Sequence, residues 1–156
     1  MGKKFGLNFD GVSELSEKLE ALGGDLKQVA EQALEFIPGD VNPKLHAAMQ
    51  KHKGHGVTEK SIVEGQQVKW TGNVASIDVG FNLKKGGMPS IFLMYGTPRH
   101  APGNQYGGPV RQGAQEHPGT KADTELFNAI YGTKTQKEIA AKQQKIFNQA
   151  IQELMK

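Results

Sequence analysis

Apolar and polar residues alternate at the start of the chain. Phe5, Leu7 and Phe9 are interleaved with Lys4, Gly6 and Asn8, and this period of two predicts a short strand. The spacing then becomes helical. Asp10 is placed to cap a helix over about residues 11–22, with Leu15, Leu19 and Leu22 on one stripe and Gly23-Gly24 at its end. Asp25 is placed to cap a second helix carrying Leu26, Val29, Ala30, Ala33, Leu34 and Ile37, which Pro38-Gly39 is expected to break. Asn42-Pro43 restarts a third segment, reaching about Lys51, with Leu45, Ala48 and Met49 as a thin apolar face.

The stretch from Lys51 to Lys60 is basic, carries histidines and is punctuated by glycine, so it reads as a loop. From Ser61 the period returns to two. Ile62, Val68 and Trp70 belong to one or two strands, Thr71-Gly72-Asn73 forms a turn, and Ile77, Val79 and Phe81 lie opposite Ser76, Asp78 and Gly80. This predicts a hairpin with one dry face. Lys84-Lys85-Gly86-Gly87 is a second turn, and Pro89–Tyr95 fits a strand or a short helix, with the proline at its start favouring the helix.

More than twenty residues of glycine, proline and polar side chains follow, through His117-Pro118-Gly119, before helical spacing returns at Leu126, Phe127, Ile130 and Tyr131. Holding the 24 residues from Pro98 to Lys121 in one conformation would cost about 25–50 kcal/mol. This segment is therefore expected to be mobile in the free monomer and ordered against partner subunits. Asp123 or Thr120 can start the next helix, which ends at Gly132. Thr135-x-x-Glu138 reads as a capping box for the last helix, along which Ile139, Ile146, Phe147, Ala150, Ile151 and Leu154 recur at three- and four-residue steps. Burying its large apolar side chains is worth about 8–15 kcal/mol before entropy is subtracted, so it must pack on the hairpin or on the second helix. The expected class is α+β: a small antiparallel sheet packed against N-terminal helices and a long C-terminal amphipathic helix, in one domain over residues 1–156 with a long loop at about 98–121.

Composition narrows the function classes. Apolar residues other than glycine make up only 37% of the chain, with twenty glycines besides, so the core is small for the length. Cysteine is absent, which excludes disulfides and thiolate metal sites and suits a reducing compartment. No apolar run approaches the roughly 20 residues that cross a bilayer, and no signal-peptide-like stretch is expected at the N-terminus. The net charge of +3 is compatible with nucleic acid but does not demand it.

Candidate chemistry is sparse. His46, His52 and His55 are close in sequence, with His100 and His117 in the long loop. His46 and His52 are six apart, on opposite sides of a helix rather than paired at i, i+4, and no acidic residue accompanies them at a spacing that would orient a ligating ring. Solvated loop histidines are the simpler reading, so neither a metal nor another cofactor is expected. There is no G-x-S-x-G elbow, and Gly119-Thr120-Lys121 and Gly132-Thr133-Lys134 are too short to cradle phosphates. The chain is thus not expected to be an enzyme. Lys51, Lys53, Lys60, Lys84, Lys85 and Arg99 fall on expected loops, where they can face a phosphate backbone. Ordinary solubilising charge is the simpler explanation, since no aromatic residues are interleaved with them. A nucleic-acid-binding module and, behind it, a His-dependent metal hydrolase are the alternative readings.

The order of features resembles the tail-completion, neck or minor tail proteins of long-tailed, non-contractile bacteriophages. The resemblance rests on Gly6-Leu7-Asn8-Phe9-Asp10-Gly11-Val12-Ser13-Glu14-Leu15, on Gly56 through Ser61-Ile62, and on the strand ending near Val79-Gly80-Phe81. Its most specific phrase is Leu93-Met94-Tyr95-Gly96-Thr97, and His117-Pro118-Gly119-Thr120-Lys121-Ala122 leads into the penultimate helix as the family's proline-containing entry does. The family's second helix is usually continuous, whereas Pro38-Gly39 is expected to split it here, and the loop from Pro98 to His117 is longer than the family's connection. The resemblance implies a non-catalytic virion structural protein, assembled in the bacterial host cytoplasm, that helps close the tail or join it to the head as a subunit of a ring around the DNA channel. The implied partners are other copies of itself and phage head-completion, tail-terminator or tail-tube proteins, with non-specific contact to DNA and none to a membrane. In such a ring the expected subunit contacts are Tyr95, Pro98, Arg99, His100, Tyr106 and Arg111, because Tyr and Arg are enriched at energetically important interface positions. The residues free to face DNA are Lys51, Lys53, Lys60, Lys84 and Lys85.

Overall fold

The computed structural model describes residues 2–8, 17, 26–52, 54, 56–99, 118–154 and 156. Apart from Glu17, which is helical, the expected helix over residues 11–22 lies outside them, as do Phe9 and the loop from 100 to 117.

The apolar stripe that begins at Ala30 does not stop at Pro38. Ala30, Ala33, Leu34, Ile37, Val41, Leu45, Ala48 and Met49 are all buried on one 24-residue helix, α1, which spans Leu26–Met49 and contains both Pro38 and Pro43. The expected break at Pro38-Gly39, and with it a separate third segment, is therefore corrected. A proline inside a helix removes one backbone hydrogen bond and costs about 3 kcal/mol. That cost is offset because the apolar residues stay in phase across it: Leu34, Ile37, Val41 and Leu45 are fully buried.

Strand β1 (Gly2–Asn8) pairs antiparallel with β3 (Val74–Gly80), Phe5 opposite Ile77, and β2 (Lys69–Thr71) pairs with the other edge of β3. The sheet order is β1-β3-β2. Thr71 faces Val74, so the hairpin closes through Gly72-Asn73, and the positive φ of Gly72 at the first position suits such a two-residue turn. Ala75, Ile77 and Val79 are buried, forming the expected dry face, and α1 packs against β3. The opposite face is drier than the alternation suggests, since Ser76 is also buried.

The stretch read as a loop after Lys51 is more ordered than expected: Gln50–His52 make a 3-10 turn and Val57–Lys60 a one-turn helix, α2. Pro89–Tyr95 is helical, as the leading proline favours, and is termed α3. Helix α4 (Thr124–Tyr131) is capped by Asp123, whose side chain accepts the N–H groups of Glu125 and Leu126. Only Gly132 separates it from α5 (Thr133–Leu154). The capping-box reading of Thr135 and Glu138 is corrected: Thr135 lies inside α5 and donates to the Asn128 carbonyl, and Glu138 reaches Lys44 on α1.

Helix α5 packs on α1 and α4, which settles its partner as the second helix. Lys142 pairs with Asp40, and Gln143 donates to the Ala33 carbonyl at 3.1 Å. Among the described side chains of its apolar stripe only Ile139 is buried; Ile146, Phe147, Ala150 and Ile151 are half-buried, so the burial energy expected from the spacing is not fully realised among the described residues. The result is an α+β fold in which α1 separates a three-stranded sheet from a helical pair. No helix among the described residues is long and apolar enough to cross a membrane.

Candidate functional site

Helix α3 has two faces of opposite character. Ser90 and Met94 are buried, while Met88, Phe92 and Tyr95 are each about half exposed, at 52%, 51% and 53%. These positions stand at i, i+4 and i+7, within about 60° of one another around the helix axis. They form an apolar ridge. The Tyr95 ring meets Phe127 of α4 edge-on, with centroids 5.7 Å apart, and Phe127 meets Tyr131 at 5.2 Å. Val57, also exposed, packs against Gly86 and shares a small hollow with Pro89, placing it beside the Met88 end of the ridge. Large exposed apolar groups gathered on one helix mark an interaction surface more often than they occur by chance.

At its C-terminal end the ridge runs into a closed neck. Thr97 and Thr120 exchange backbone hydrogen bonds of 2.8 and 3.1 Å, and the Thr97 hydroxyl oxygen also accepts from the Thr120 N–H. Two glycines make the approach possible. Gly96 and Gly119 both have positive φ, and a Cβ at either would sit within 2.6 Å of a backbone oxygen of the opposite strand. The long segment expected to begin at Pro98 is thus pinned at 97 and 120.

The neck is anchored from behind by Asp123. Its N–H donates to the Leu93 carbonyl at 2.8 Å, its carboxylate caps α4, and His52 Nε2 lies 2.7 Å from the other carboxylate oxygen. Burial works to raise the Asp123 pKa, but the bond with His52, the two capping N–H groups and the charge of Lys51 outweigh it and hold the carboxyl below its usual range.

Tyr95, Pro98 and Arg99 are all exposed at the neck end of the ridge. His100, Tyr106, Arg111 and Lys53 lie outside the described residues. Lys51 is drawn to Glu125. Lys60, Lys84 and Lys85 are exposed on neighbouring segments, because α2 rests against the turn at Leu83–Lys85 through Val57 and Gly86. Lys51 lies next to α4 through its pair with Glu125.

The histidine reading changes most. His46 sits between two carboxylates, Nδ1 3.1 Å from Glu59 and Nε2 3.0 Å from Glu64, and Gln50 also donates to Glu59. Sequence spacing missed both glutamates, which reach the ring from α2 (Glu59) and from just beyond it (Glu64). A neutral imidazole has one N–H and serves one of them; the imidazolium serves both. The hydrogen bond with Glu59 raises the His46 pKa, burial opposes it, and the second bond and the charge of Glu64 reinforce it. Because the folded value is raised, the stabilisation is complete below the ordinary pKa of 6.5 and is lost as pH climbs through the raised value. We expect the melting temperature to fall between about pH 6 and pH 8 by more in the native chain than in His46→Ala; equal slopes would refute this clamp. Among the described residues no group of three His, Cys, Asp or Glu side chains is arranged to hold a metal ion. His55 lies outside them.

The ridge itself was legible in part. Tyr95 is among the expected contact residues and stands on the exposed ridge, whereas Met88 and Phe92 are not among them, although their spacing relative to Tyr95 follows once the segment is read as a helix. Comparison with protein-family models, curated proteins and solved structures yields no significant match to the chain.

Proposed function

We propose that this chain is a non-catalytic structural subunit of a long-tailed bacteriophage, acting in tail completion or head–tail joining as part of a ring around the DNA channel. The observation that carries the reading is the phrase Leu93-Met94-Tyr95-Gly96-Thr97. The phrase most specific to the resemblance coincides with the end of the exposed ridge and with the neck, where a subunit contact would be made. A second point supports it: α1 runs unbroken for 24 residues, which removes one of the two departures from the family pattern. In this reading the protein resides in the virion, contacts copies of itself and head-completion, tail-terminator or tail-tube proteins, and turns Lys60, Lys84 and Lys85 toward DNA or solvent.

The test is electron microscopy of particles assembled without the protein. Filled heads separate from finished tails identify a joining role, and heads beside overlong or unfinished tails a completing one. Intact, infectious particles would refute the proposal.

A further inference from the structure

We draw no further inference here: the strongest candidate, the exposed Met88–Phe92–Tyr95 ridge on α3, carries none because nothing in the structure shows what covers it.

Discussion

Ile37→Ala is expected to lower the free energy of unfolding by about 2–5 kcal/mol. Ile37 is fully buried and sits at the middle of the stripe that α1 turns toward β3 and α5. Truncation removes three carbons from a site enclosed by other core side chains, so the loss combines unfavourable transfer with the cavity left behind. In a domain whose total stability is about 5–15 kcal/mol, that is a large share. Urea titration should show a lower midpoint with an unchanged slope. A loss below about 1 kcal/mol would mean that the site collapses freely and that the stripe does not carry the helix.

Pro38→Ala is expected to act in the opposite direction. Alanine restores an N–H able to bond the Leu34 carbonyl and relieves the clash that a ring imposes on the preceding turn, together worth about 3 kcal/mol in a helix interior. Part of the gain is returned, because proline also restricts the unfolded chain by about 0.4–1 kcal/mol, and the half-buried ring loses some packing. A net rise of about 1–2 kcal/mol should remain, equivalent to an increase of about 2–8 °C in melting temperature. Gly39→Ala should add about 0.5–1 kcal/mol, since a Cβ there meets nothing within 4 Å. If Pro38→Ala destabilises the protein instead, the ring is a packed component of the core and the account of α1 as a helix carried past its prolines fails.

These opposed expectations explain the one large misreading of the secondary structure. Pro38-Gly39 is a strong local stop signal, and local preference alone would have ended the helix there. Ala33, Leu34, Ile37, Val41, Leu45 and Ala48 nevertheless keep three- and four-residue spacing across it. Val41 is the residue that bridges the two halves, and reading it into the stripe would have reversed the choice. The Thr135-x-x-Glu138 pattern misled for a related reason: Gly132 and the packing of α4 against α5 start the helix earlier, leaving Glu138 free to pair with Lys44.

The candidate site divides along the same line. Tyr95, Pro98 and Arg99 are expected contacts from their residue types and their place at the end of the apolar run, and the structure leaves all three exposed. The carboxylate partners of His46 and His52 were not identifiable, because Glu59, Glu64 and Asp123 stand 13, 18 and 71 residues away and arrive only through folding.

The chain's own residue order determined the α+β class, the strand pattern around Thr71-Gly72-Asn73, the short helix after Pro89, the Asp123 cap and the amphipathic C-terminal helix. Each of these depends on neighbours within a few positions, where periodicity, capping and turn geometry operate. Tertiary structure alone decided that α1 continues through two prolines, that α5 packs on α1, and that the chain is pinned at Thr97 and Thr120. Those outcomes depend on burial and on contacts between distant segments, whose energies exceed the local preferences they override.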